Sequence, residues 1–222
     1  MFKCFFSLFR YDQYMVNALR HYIVGCDTFN PSHFCQELPL SHVEPLSLSR
    51  YNRLTVAIHW LTVLLFICVY VSMEFRDIFE RGTLGRDLMK TSHYWFGISI
   101  LLLLAVRLYA RFSQPTPDIV PPQPHWQHVT AKLVHLAIYV FMLAMPVLGL
   151  LLLSADAVSL RFFSIELPAL IAPDAAIAEW LEEIHELGAT VGYYLIGAHA
   201  VAALFHHYVM KDNTLHRMSL KK

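Results

Sequence analysis

The chain has 222 residues, 56% hydrophobic and only 15% charged, with 17 Lys and Arg balancing 17 Asp and Glu. Soluble domains run about 45–50% apolar and about 25% charged, so the composition points to a membrane protein. Zero net charge argues against a generally basic nucleic-acid binder and against a disordered polyelectrolyte. The feature left to explain is thirteen histidines in so apolar a chain.

Residues 1–48 read as an N-terminal extension with no assigned function. Their aromatic and apolar residues are broken by Lys3, Arg10, Asp12 and Arg20. That is too short and too interrupted for a span, and no clear signal-peptide core is visible. A surface amphipathic helix and a disordered tail fit equally well. Cys4, Cys26 and Cys35 lie here, and Cys68 lies further on. They form no C-x-x-C pair and no C-x-x-C-H, which excludes zinc-ribbon and thioredoxin motifs and a covalently attached c-type haem. No Walker loop or G-x-G-x-x-G is present either.

Residues 49–222 carry four long apolar stretches, at 54–73, 93–112, 129–153 and 184–210. A membrane helix needs about 20 mostly apolar residues. The expected fold is therefore an all-α integral membrane protein, a four-transmembrane-helix bundle. Residues 113–125 form a Pro-rich connector. Residues 154–183 form a longer acidic connection, in which a short amphipathic helix is expected before the fourth span. Arg50, Arg53, Arg107, Arg111, Lys132, Lys211 and Arg217 flank the side that both termini share. Positive flanks favour the cytoplasm, so both termini are expected there.

Ionisable residues inside a bilayer are costly and are functional candidates. His59 lies near the cytoplasmic end of the first span, and His93 opens the second span at the outer end. His185 starts the fourth span, and His199 follows fourteen residues later, about 21 Å deeper at 1.5 Å per residue. Fourteen steps of roughly 100° leave the two within about 40° around the helix. Depth thus pairs His93 with His185 and His59 with His199. Two imidazoles on opposite faces of an iron porphyrin make a six-coordinate b-type haem suited to electron transfer, so two haem b groups are expected. Gly97, Gly188 and Gly192 lie near these faces and would clear space for a porphyrin edge. Each histidine alone also reads as an interfacial or satisfied core residue. A zinc site would want three or four ligands at one depth, and a cation-handling protein remains a third reading.

His135 and His206 lie near the cytoplasmic end and are candidate contacts to a quinone, which needs hydrogen-bond partners and protons. Lipid-headgroup and helix–helix contacts are the plain alternative. Arg53 and Arg107, at the same level, could pair with haem propionates or act as ordinary positive-inside anchors.

From about Leu48 onward, the motifs RYNRLTVAIHW, MEFRD, SHYWFGISILLLLAVRLYARFSQPTP, LVHLAIYVFMLAMPVLGL and HELGATVGYYLIGAHAVAALFHHYVMKDNTLHRM resemble the prokaryotic cytochrome b561 family. The resemblance implies a bacterial inner-membrane protein with two b haems, and it carries His59, His93, His185 and His199 over as axial ligands. It also implies electron exchange with ubiquinone at the cytoplasmic side, where His135 and His206 match the family's positions. Some members are superoxide oxidases, which implies superoxide as the outer donor. The alternative is a membrane-anchoring subunit that passes electrons from a partner dehydrogenase or hydrogenase to quinone. The outer connections here are acidic, and an anion such as superoxide is steered by positive potential. Arg76, Arg81, Arg86 and Lys90 are the basic residues available for a local positive mouth on that side.

Overall fold

The computed structural model describes residues 50–159, 161–162 and 165–219. The chain divides into two units, Met1–Ser47 and Leu48–Lys222. The N-terminal extension lies outside the described residues, as do Cys4, Cys26 and Cys35. Cys68 is a free, partly buried thiol.

Each of the four apolar stretches is helical. α1 spans Arg53–Glu74, α2 Leu84–Ser113, α3 His125–Ala155 and α4 Ala175–Tyr208. All four are long and apolar enough to cross a membrane. Local chemistry sets their starts. The Asn52 side chain accepts a hydrogen bond from the Leu54 N–H at 3.1 Å. Asp174 Oδ1 accepts from the Ala176 and Ile177 N–H groups at 2.9 and 3.1 Å. Both satisfy donors that a helix N-terminus leaves without partners. Before α2 the chain turns at Gly82 with φ +81°, a conformation glycine adopts without steric cost.

The connection between α3 and α4 differs from expectation. Among the described residues no separate amphipathic helix precedes the fourth span, because residues 175–183 are the first turns of α4 itself. The helix has 34 residues, about 51 Å at 1.5 Å per residue, against a hydrocarbon core of about 30 Å. The surplus carries Glu179, Glu182 and Glu183, whose charge makes these turns read as loop. Elsewhere the connection holds a hairpin, β1 (Arg161–Phe162) antiparallel to β2 (Ile165–Glu166). Strands of two residues leave the bundle all-α.

Successive helices pack on one another, α1 on α2, α2 on α3 and α3 on α4, while α1 and α4 make little direct contact. Side chains bridge that gap instead. Tyr70 Oη donates to the Ala189 carbonyl at 2.9 Å, Tyr193 Oη donates to Glu74 Oε1 at 2.6 Å, and the two tyrosine rings lie 4.2 Å apart. The tightest core joins α2 and α3 through Ile100, Leu104 and Met142. Leu64, Ile67, Leu133 and Val201 are exposed, as suits a surface whose solvent is lipid and no less apolar than the interior.

The C-terminal tail closes the end of the bundle where α1 starts and α4 stops. Asn213 exchanges hydrogen bonds with the Val120 backbone and donates to the Asp118 carbonyl. Tyr51 N–H donates to the Arg217 carbonyl, and Trp60 Nε1 donates to the Met218 carbonyl at 3.0 Å. The Pro-rich connector and the start of α1 are thereby tied to one short segment.

Candidate functional site

Each depth-matched pair of histidines is adjacent in the folded chain. His93 on α2 and His185 on α4 have ring centroids 6.2 Å apart. His59 on α1 and His199 on α4 are 6.5 Å apart. Two imidazoles on opposite sides of one metal ion, each at the roughly 2 Å bond of a histidine ligand, bring their ring centres about 6 Å apart. Both pairs match that spacing. Among the described residues no three His, Cys, Asp or Glu side chains gather as a metal site.

The His93–His185 layer fits an iron porphyrin well. His93 Nδ1 lies 3.2 Å from the Val69 carbonyl, which can only accept, so Nδ1 holds the proton and Nε2 keeps its lone pair. That is the usual arrangement of a metal-bound histidine. His185 Nδ1 is buried with no hydrogen-bond partner, a cost that a purely structural histidine normally avoids. Gly149 on α3 lets the His185 ring come close, since a Cβ there would stand 3.4 Å from Cε1. Beside His93, a Cβ on Gly97 would meet nothing within 4 Å, so the expected clearance exists.

Gly188 and Gly192 behave differently. A Cβ on Gly188 would strike Met145 Sδ, and one on Gly192 would strike Phe141 and the Tyr70 hydroxyl. These glycines make room for neighbouring side chains rather than for a porphyrin edge. Phe66 stacks on Phe141 with ring centroids 6.0 Å apart. Phe141 and Tyr70 thus meet beside Gly192, with Phe66 stacked on one and the exposed Tyr193 against the other.

The His59–His199 layer is more polar. Arg107 reaches it from α2, and Nη2 donates to His59 Nδ1 at 3.0 Å. Its other nitrogens lie 3.5 Å from Thr62 Oγ1 and the Tyr139 hydroxyl. A guanidinium cannot accept, so this His59 carries its proton on Nε2. Metal binding through Nε2 requires Arg107 to exchange that bond for another acceptor. His135 also belongs to this layer, 5.3 Å from His199. That is shorter than the spacing across a shared metal, so His135 is a neighbour of the pair. Arg53 is exposed on the first turn of α1.

His206 lies elsewhere, about two turns further along α4. Its Nδ1 donates to Asp212 Oδ2 at 2.7 Å. Gln123 Nε2 donates to the same oxygen at 2.8 Å, and Thr214 N–H donates to Asp212 Oδ1 at 2.9 Å. Burial by itself pushes the Asp212 carboxyl up, but the hydrogen bonds from Thr214, Gln123 and His206 outweigh it and hold the carboxyl below the usual range. Asp212 is therefore a buried carboxylate against His206 Nδ1, which Gln123 Nε2 also approaches at 2.9 Å, and Nε2 of the ring is left available. Sequence reading missed Asp212 and Gln123. The one available signal was an acid six residues beyond His206, just past the helix end.

A membrane bundle with histidines paired across two layers is the architecture of a membrane-embedded b-type cytochrome. A family model for prokaryotic cytochrome b561 matches residues 50–220, and the chain belongs to that family. It is 39% identical over 171 residues to cytochrome b561 homolog 1 of Escherichia coli, covering 77% of this chain and 97% of the relative. It is 38% identical over 173 residues to the probable superoxide oxidase CybB of Yersinia pestis, covering 78% and 97%. Cytochrome b561 homolog 2 of Escherichia coli is 27% identical over 182 residues, covering 76% and 90%. The protein is thus a multi-pass bacterial membrane cytochrome that carries electrons across the membrane with b-type haem.

Proposed function

We propose that the protein holds two b haems, one between His93 and His185 and one between His59 and His199, and moves electrons from superoxide at the outer side to ubiquinone at the cytoplasmic side. The presence of two histidine pairs at 6.2 and 6.5 Å carries this reading. Haem b bound at these layers supplies one-electron redox chemistry. Two superoxide ions each give up one electron to become oxygen, and one ubiquinone takes two electrons and two protons to become the quinol. The name of the Yersinia pestis relative supports the choice of donor. The basic flanks support placing both termini in the cytoplasm.

The chain's own residues do three things in this scheme. His93 is held in the outer layer by the Val69 carbonyl, with Arg76 within electrostatic reach. His135, exposed beside His199, is open to a quinone arriving from the bilayer. His206 presents Nε2 as a second contact, an acceptor in the neutral ring and a proton donor only in the imidazolium, with Asp212 holding the ring from behind.

A second reading is favoured by one observation. The acidic first turns of α4 extend past the hydrocarbon core and are exposed at Glu179, Glu182 and Glu183. A basic surface on a soluble dehydrogenase or hydrogenase subunit would find a docking site there. Stopped-flow mixing of the purified oxidised protein with superoxide separates the readings. Haem reduction much faster than in a heat-denatured control is expected. Reduction no faster than the control would leave the subunit reading in its place, and a protein purified with no b-haem band would overturn both.

A further inference from the structure

Among the described residues Arg217 is an internal cation with no anion. Its residue is 6% exposed. Its backbone is fully engaged, N–H to the Asn213 carbonyl at 2.9 Å and carbonyl to Tyr51 N–H at 3.2 Å. Its Nη2 donates to the Tyr51 hydroxyl at 3.1 Å, and the guanidinium lies 5.3 Å from the Tyr51 ring centre. The remaining nitrogens, Nε and Nη1, are buried with no hydrogen-bond partner. A neutral hydroxyl and a ring face do not compensate a buried charge. Among the described residues no carboxylate pairs with it.

Its position indicates what the missing anion is. Met218, the next residue, accepts the Trp60 Nε1–H bond. Trp60 is adjacent to His59 in α1, and their rings are 5.5 Å apart. Arg217 therefore sits behind the His59–His199 layer, at the end of the bundle that the tail closes. At 6% exposure it is shielded from a lipid headgroup outside. A carboxylate belonging to a group held inside the bundle can reach it.

We propose that Arg217 is the counter-charge for a propionate carboxylate of the haem between His59 and His199, with Nε or Nη1 as its donor. This rests on the two-haem reading above. On a guanidinium the Nε–H points to the Nη2 side, away from Nη1, so one carboxylate accepts from one of the two free nitrogens in a charge-assisted hydrogen bond. The tail is then part of the cofactor site, and its hydrogen bonds to Tyr51, Trp60 and the Pro-rich connector hold Arg217 in place.

The test uses the full-length holoprotein in nanodiscs and follows the midpoint potential of each haem and the rate of haem loss to apomyoglobin. Removing a cation beside a haem favours the oxidised state. Arg217→Gln is expected to lower the midpoint of the haem that His199→Ala removes, to leave the other unchanged, and to weaken retention of that haem roughly tenfold, the size of a charge-assisted hydrogen bond. Arg217→Lys should keep most of the midpoint and lose part of the retention. Wild-type protein reconstituted with haem dimethyl ester, whose carboxylates are blocked, should lose retention as Arg217→Gln does while its midpoint rises, because the anion is gone and the cation remains. Two haems bound with midpoints indifferent to Arg217→Gln and to the ester would overturn the proposal and leave the two-haem reading standing. A midpoint shift that follows the anionic lipid content of the nanodisc and ignores the ester would overturn it in favour of a lipid phosphate. Protein with no haem at all would overturn both.

Discussion

The two histidine layers are built from the same residue type at nearly the same spacing, yet their surroundings are opposite. The His93–His185 layer is held by a backbone carbonyl and a glycine contact. The His59–His199 layer has Arg107 bonded to a ligand candidate and His135 against its partner, and Arg217 lies behind it. Fixed positive charge favours the reduced state of a nearby redox centre, and on the other side Arg76 lies within electrostatic reach of His93. The layers therefore differ in how the histidine ring nitrogens are held, by a backbone carbonyl at His93 and by a guanidinium at His59.

The largest test of that comparison removes one layer at a time. His199→Ala should remove one of the two haems and spare the other, so haem per protein falls by half. His185→Ala should do the same with the opposite spectral component remaining. Loss of both haems from either single change would show that the layers are not independent.

A change of one glycine sharpens the contrast from the apolar side. Gly97→Leu enters open space and meets no protein atom within 4 Å of its Cβ. The apoprotein should melt as wild type, while the His93–His185 haem is lost or weakened. Gly192→Leu is the control, because it strikes Phe141 and Tyr70. It should destabilise the apoprotein itself by about 1–3 kcal/mol through overpacking, read from thermal melts in detergent.

At the polar end, Asp212→Asn breaks the bond that orients His206. The expected cost is about 1–3 kcal/mol at neutral pH, the range for disturbing a buried hydrogen-bonded group. Because the folded carboxyl titrates below its ordinary value of 3.8, the stabilising contribution is complete above that value and is lost as pH falls through the lower, folded one. Melts of wild type and variant should converge on acidification below pH 3.8 and stay apart at pH 7. The smallest effect is expected at the α1–α4 bridge. Tyr193→Phe removes the 2.6 Å bond to Glu74, and as both groups are exposed the cost should stay under about 1 kcal/mol.

Much of the site was legible in the sequence because membrane helices are regular. Fourteen residues between His185 and His199 fix both a depth difference and a shared face, and the bilayer aligns depths across helices. The four helices and both histidine pairs follow from that arithmetic. Partners that depend on side-chain reach or on a chain reversal do not. His135 and His206 lie at similar predicted depths, yet one rests on His199 and the other on Asp212, because the tail folds back at the end of α4. Gly188 and Gly192 lie on the expected face, but Met145, Phe141 and Tyr70 from two other helices fill the space they leave.

The sequence by itself determined the membrane class, the four spans and the pairing of histidines, since each depends on periodicity within a single helix and a common bilayer frame. Only the tertiary structure decided which charges stand behind them. Arg53, equal to Arg107 by depth, faces outward, Arg107 turns onto His59, and Arg217 arrives from the far end of the chain to become the buried cation. Such a choice depends on contacts between distant segments, which no local spacing encodes.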